Sequence, residues 1–407
     1  QHRWLLAEDA FNRALARDLG NPMAKAGLAE AWFNQGRLAE ALELWQELVD
    51  THPQLPGVFT GLGQTYLWLS DIESARQAFA NQQNRHFDPQ AQWFLAALQA
   101  PVDVVTAADM LHSISTGRNP ADDVPAEVLT QRDYLLDVLS PFTVDSSQVD
   151  VAKATGIALA QIGLWPLASY ALEIANERSD DADGETLSFL GYALAQSGRP
   201  ALNIFEQAQQ ADPDSAWPMY FQGLYLRDQQ AFNAAEAMFR EALALDPDNA
   251  AIYVELGRTR AQQGDLGTAE AAFLTAVEVA QKDSQSPVLW VQKVLARFYA
   301  DRGYRIAEAG IPAAEALLEI DENAEAQALL GWMQFLAGHP VEAETSLRQA
   351  LGLDPELVEA RYYLARLFET QGQTESALAE YERVVDWDTS GELRKLAFEG
   401  RRRLGVE

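Results

Sequence analysis

The chain has no cysteine in 407 residues. That excludes disulfides, thiolate zinc sites and a cysteine nucleophile. Positive charge is scarce: 30 lysines and arginines stand against 60 aspartates and glutamates, a formal net charge of −30. Binding a phosphate backbone needs a basic stripe, and the mean field here repels polyanions, so nucleic acid is not expected as a partner. No apolar run reaches the length of about eighteen residues that a membrane span needs. The opening "QHRWLLAEDAFNRAL" has the pattern of an amphipathic helix and not of a signal peptide. The five histidines, His2, His52, His86, His112 and His339, include no i, i+4 pair and no metal-ligand string, and are expected at the surface. There is no phosphate-cradling glycine loop, serine elbow or zinc-protease motif. No catalytic residue, metal or cofactor is assigned.

What is present is apolar and periodic. Hydrophobic residues make up 48% of the chain, enough for a substantial core. "ADPDSA" places Pro213 and "LDPDNA" places Pro247, thirty-four residues later. Between them run Gly223, Ala235, Phe239 and Ala242; the next unit shows Gly257, Ala269, Phe273 and Ala276, each thirty-four residues on. "LDPELV" places Pro355, three periods of thirty-six beyond Pro247. Similar landmarks recur as Leu28, Trp32, Gly36, Ala41 and Trp45; as Leu62, Gly63, Tyr66, Ala75 and Phe79; as Gly156, Gly163, Ala168 and Leu172; as Gly191, Gly198, Ala201 and Phe205; as Gly331, Gly338, Ala343 and Leu347; and as Leu364, Phe368, Gly372, Ala377 and Tyr381. Proline forces the residue before it out of helical geometry, so Asp-Pro ends one helix, and a neighbouring aspartate can cap the next.

This pattern resembles the tetratricopeptide repeat, a helix–turn–helix of thirty-four residues. The resemblance implies an all-α right-handed solenoid in which helix A and helix B of each unit pack antiparallel and neighbours stack, because no unit can bury its apolar face alone. The expected organisation is N-terminal units over 1–100, an irregular helical segment or hinge over 101–148, a main array over 149–390 and a capping helix over 391–407. The first unit opens on a lone helix B carrying Ala7, Phe11 and Ala14. A start inside a repeat points to an upstream signal or anchor outside this sequence. It leans toward an exported or membrane-anchored protein, with the cytoplasm as the alternative. In the middle segment two helices are expected, Val102–Ser115 with an apolar face of Val102, Val105 and Ile114, and Pro125–Leu139 with Val128, Leu135 and Val138; "TGRNPADDVP" joins them. The unit near "VLWVQKVLARFYADRGYRIAEAG" is degenerate, with a longer turn around Gly303.

Two stretches compete for a chemical role. In "SDDADGETLSFL", Ser179, Asp181, Asp183 and Gly184 mimic the start of a calcium loop, but its twelfth position is Leu190 where glutamate is required. Arg394, Lys395, Arg401, Arg402 and Arg403 suit the C-terminal end of a helix, or alternatively dock on an acidic face of a second copy. In the family, helix A positions line a concave groove that takes peptides or protein segments. By register these are Phe33, Trp68, Tyr192, Trp217, Tyr220, Arg227, Arg258, Trp332, Phe335, Tyr362 and Arg366. Aromatics and arginine are favoured at binding hot spots. About half of them are expected in the core, where helical aromatic stripes usually reside. The family's clamp for acidic chaperone tails is absent, since its places hold Ala26 and Glu30, Ser188 and Tyr192, Val254 and Arg258. The expected function is a non-catalytic scaffold binding a peptide or protein segment in the groove. The alternatives are a structural protein self-associating through its array ends, or the regulatory segment of a larger protein.

Overall fold

The structure, a computed structural model, describes residues 2–114, 124–282, 288–388 and 391–406. Among them it shows twenty-three α-helices and no strand. They fall into two compact units divided at Gln229/Gln230. In unit 1 they are α1 (His2–Arg17), α2 (Pro22–Asn34), α3 (Leu38–Thr51), α4 (Val58–Trp68), α5 (Ile72–Arg85), α6 (Pro89–Gln99), α7 (Val104–Ser113), α8 (Ala126–Leu139), α9 (Gln148–Gln161), α10 (Trp165–Arg178), α11 (Gly184–Gln196), α12 (Leu202–Ala211) and α13 (Trp217–Asp228). In unit 2 they are α14 (Phe232–Leu245), α15 (Ala250–Gln263), α16 (Leu266–Lys282), α17 (Val288–Arg302), α18 (Ile311–Ile320), α19 (Ala324–Leu336), α20 (Pro340–Leu353), α21 (Val358–Thr370), α22 (Thr374–Trp387) and α23 (Glu392–Arg403).

The α15–α16 hairpin shows how sequence becomes repeat. Asn249 caps α15 by accepting from the backbone N–H of Ala251 at 3.1 Å. Gly264, at φ 85°, ends the helix in the left-handed region that a side chain disfavours. On α16, Ala269, Phe273, Ala276 and Ala280 repeat at i, i+4, i+7 and i+11 and are all buried. The Phe273 ring lies over Gly257, where a Cβ would come within 2.7 Å of Cε1. Glycine is therefore retained inside α15 although it disfavours the helix by about 1 kcal/mol. Burying the phenyl ring returns about 1.5–3 kcal/mol. The same close approach joins Phe79 to Gly63, Leu172 to Gly156, Phe205 to Gly191 and Leu347 to Gly331.

A second set of contacts joins neighbouring hairpins. The Trp45 ring of α3 covers Gly61 of α4, and the Phe11 ring of α1 covers Gly27 of α2. Phe11 thus occupies the place of a helix B aromatic. Helix A also packs on the next helix A: α2 on α4 and α4 on α6 in unit 1, and α15 on α17, α17 on α19 and α19 on α21 in unit 2. Such A-to-A packing places the A helices on the inner side of each local stack. At the far end Tyr381 of α22 covers Gly400 of α23, so α23 sits where a following helix A would sit.

One detail departs from the sequence reading and two others add to it. The first helix of the middle segment begins at Val104, capped by Asp103 accepting from the Thr106 N–H at 3.1 Å. Its buried face is consequently Val104, Ala107 and Leu111, followed by Ile114. Val105 is 46% exposed. That helix packs on α6 as the second arm of a hairpin, and the partner helix α8 buries Val128, Leu135 and Leu139, with Val138 only half-buried. Most of the joining loop lies outside the described residues. The A–B turn of α4–α5 holds Ser70 rather than glycine, at φ 62°. In the degenerate unit the turn widens into a π-helical turn, Ile306–Gly310, entered through Arg305 at φ 45°. Arg305 is pinned there by two contacts of 2.8 Å to Glu270, which also accepts from the Tyr299 hydroxyl at 2.7 Å.

The Gly257→Ala variant is expected to lower the denaturation midpoint, with overpacking against Phe273 costing about 1–3 kcal/mol. Gly352 lies in a helix with nothing within 4 Å of its Cβ position. There the same substitution is expected to stabilise by about 0.5 kcal/mol. Guanidinium melts of both variants check the pair; equal effects would refute the packing argument.

Candidate functional site

The inner A-helix faces carry most of the groove residues expected from sequence, in chemically different settings. In unit 1 one aromatic run is nearly continuous. Trp165 meets Tyr192 edge-on at 5.3 Å between ring centroids, and Tyr192 lies 5.5 Å from Phe221. Phe221 is 4.6 Å from Phe189 and 5.7 Å from Trp217, and Trp217 is 5.8 Å from Tyr220. Trp217 keeps 39% of its surface exposed. Phe221, which the register did not select, is the buried hub. Arg227 lies 3.6 Å from Asp228, which accepts from Gln196 at 2.7 Å. Phe33 and Trp68, both half-buried, meet edge-on at 5.4 Å between α2 and α4.

Beside Phe33 a groove of about 920 Å³ runs along α1, α2, α4 and the start of α6. Its walls include Trp4, Met23, Glu30, Phe33, Gln64, Asp88 and Gln90, with Glu127 of α8 at its edge. Among the described residues no lysine or arginine lines it. In unit 2 a smaller cavity of about 600 Å³ opens between α15 and α17. There Arg258 is joined by Lys293, Arg297 and Arg302 over a floor of Phe273 and Phe298, with Trp290 at the rim. Sequence reasoning missed these α17 residues because the unit is degenerate. The available signal was Trp290, Lys293 and Arg297 at i, i+3 and i+7 on one helical face.

Several cations in this region are already committed. Arg258 pairs with Glu255 at 2.6 Å, and Lys293 pairs with Glu325. Arg297 of α17 forms a two-point pair with Glu359 of α21, one arm at 2.8 Å, and Glu359 also accepts from the Tyr363 hydroxyl at 2.8 Å. This lock reaches across α19 and fixes two A helices. Burial opposes the charge on Glu359, but Arg297 and Tyr363 outweigh it and hold its pKa below the ordinary carboxylate value. The same Glu359 contact raises Arg297. Burial, then Glu359, pushes the Tyr363 hydroxyl up.

The remaining groove residues of unit 2 are partly core. Tyr362 is buried at 7% exposure among Tyr363 and Tyr381, so it leaves the accessible set. Its hydroxyl accepts from Arg366 at 3.4 Å, and Arg366 lies 3.4 Å from Glu369. Trp332 stacks on Tyr363 at 4.5 Å and touches Phe335 at 5.2 Å, leaving only its outer edge to solvent. Elsewhere, Asp183 serves as a helix cap, accepting from the Glu185 N–H at 3.1 Å and from Lys153 at 2.6 Å. Arg394 donates to the Val385 carbonyl at 2.7 Å, and Arg403 pairs with Glu369 at 2.6 Å. Among the described residues, no cluster of histidine, aspartate and glutamate suits a metal ion, and no helix is long and apolar enough to cross a membrane.

Comparison with known proteins follows the same lines. A tetratricopeptide repeat model matches residues 226–286 and 334–397, and another tetratricopeptide repeat model matches 1–56. Cellulose synthase operon protein C of Xanthomonas axonopodis pv. citri (strain 306) is 25% identical over 411 residues. The match covers 93% of this chain but only 26% of that protein, so the chain spans about a quarter of its relative. Among solved structures, yeast Tom70 is 16% identical, with 99% of this chain and 93% of that chain covered at a TM-score of 0.46. A tetratricopeptide repeat protein from Parabacteroides merdae ATCC 43184 is 14% identical, with 62% and 98% covered at 0.45.

Removing one partner of a buried ion pair costs about 3–5 kcal/mol. Glu359→Gln is thus expected to lower the stability of unit 2 by about 3 kcal/mol at pH 7. Because the folded pKa of Glu359 lies below its unfolded value of about 4.3, this contribution is complete above that value and is lost as pH falls through the folded pKa. Denaturant melts at pH 7 and pH 3 should show the gap between wild type and variant shrinking in acid. A gap that stays constant would refute the pairing.

Proposed function

We infer that this chain, a tetratricopeptide-repeat protein, is a scaffold for protein–protein interaction, and we propose that it holds a segment of its partner along the A-helix face. The observation that carries the finer reading is the aromatic run from Trp165 to Tyr220, in which Trp217 is 39% exposed. A half-exposed indole braced by other rings is already ordered, so binding loses little side-chain entropy and gains apolar contact. The face performs no chemistry in this reading. It contributes shape, apolar area and charge at fixed positions.

The likeness to a cellulose synthase operon protein extends the proposal to the partner's source. On that basis the partner is another product of such an operon, and this chain is one segment of the scaffold. Retention of each operon product on the immobilised chain provides the test. Trp217→Ala combined with Tyr220→Ala should reduce retention of the true partner by about tenfold or more, as hot-spot truncation does. Far-UV circular dichroism should stay unchanged. A partner retained equally by the double variant would rule out this part of the face.

A further inference from the structure

We propose that the groove of unit 1 is selective for a positively charged extended segment of a partner protein. This rests on the reading of the A-helix face as the binding surface and adds the chemistry of what it takes. The groove of about 920 Å³ is lined by Glu30, Asp88 and Glu127, and among the described residues by no lysine or arginine. Among the described residues none of these three carboxylates belongs to an ion pair. Nearby carboxylates are treated differently: Glu8 is paired with Arg37 at 2.9 Å and Glu47 with Lys25 at 2.5 Å. The charge on Asp88 is fixed in place, because its carboxylate accepts from the Thr60 hydroxyl at 2.6 Å and from the Gln90 N–H at 2.9 Å.

Apolar surface lies beside these charges. Phe33 is half-buried and Met23 is 66% exposed, both facing the same groove. A lysine or arginine side chain matches both features, laying its methylene stem on apolar surface while its charged end meets a carboxylate. An acidic segment would add like charge to a face that, among the described residues, has no cation in its lining. The dimensions favour a segment over a single amine. Three neighbouring A helices spaced about 8–10 Å apart span about 20 Å, the reach of about six extended residues.

The test uses the full chain and fluorescence anisotropy with three labelled nonapeptides, alternating leucine with lysine, with glutamate or with serine. The lysine peptide should bind at least about tenfold more tightly than the other two and weaken as salt rises. Glu30→Gln with Glu127→Gln should weaken it by about tenfold. Glu375→Gln with Glu382→Gln, exposed on α22, removes the same net charge outside the groove and should change nothing. If both double variants weaken binding equally, the attraction is to net charge alone and the proposal fails. If the three peptides bind alike, the groove remains a binding face but its charge selectivity is refuted. If none binds, the reading of this face as a binding surface falls with it.

Discussion

The structure depends on one contact repeated along the chain: a large helix B side chain seated over a glycine of helix A. Each such seat brings two backbones close enough that a methyl group would collide, as at Gly63 under Phe79 and Gly257 under Phe273. The seat sets the A–B spacing, and the spacing sets which residues of helix A remain for the inner face. Positions that pack on helix B are small or aliphatic. Positions that turn away from it are free to be Trp217, Glu30 or Lys293. The accessible inner surface is what this packing rule leaves over.

The packing rule also explains what could be read from the residues. Glycine and aromatic landmarks are constrained by contact, so Gly257, Ala269, Phe273 and Ala276 announced the hairpin, and Phe11 announced a helix B at the start. Register in the middle segment was misread because Val104 and Val105 are adjacent and equally apolar. The Asp103 cap decides between them, and it fixes where the helix begins. The left-handed turn at Ser70 carried no glycine to mark it. The accessible surface was the least legible part. Tyr362 and Tyr363 look alike in sequence, yet both are buried, Tyr362 against Tyr381 of the next helix and Tyr363 against Trp332 of the preceding helix A. Such long-range pairs leave no trace in local spacing.

The charge distribution follows from the same economy of contacts. With twice as many acidic as basic residues, the cations are the scarce element. Many are drawn into pairs that join one helix to another: Arg297 to Glu359, Arg305 to Glu270, Arg361 to Glu380 at 2.9 Å and Arg403 to Glu369. Most of these pairs are partly buried, where an ion pair is screened less and its loss leaves an uncompensated charge. They hold hairpins in register where aliphatic packing alone would allow sliding.

Once cations are spent on these locks, carboxylates are left in surplus, and their location gives each inner face its character. In unit 2 the α17 cations lie at the groove itself, so the locks and the cavity share residues; Arg297 cannot engage a ligand without competing with Glu359. In unit 1 the neighbouring locks, Arg37 with Glu8 and Lys25 with Glu47, lie outside the lining of the groove, whose carboxylates are not neutralised by them. Two faces built on one backbone rule thus differ in which charges they have available. That difference arises from side chains the rule does not constrain, so an array of this kind can change the charge of its inner face without altering how it folds.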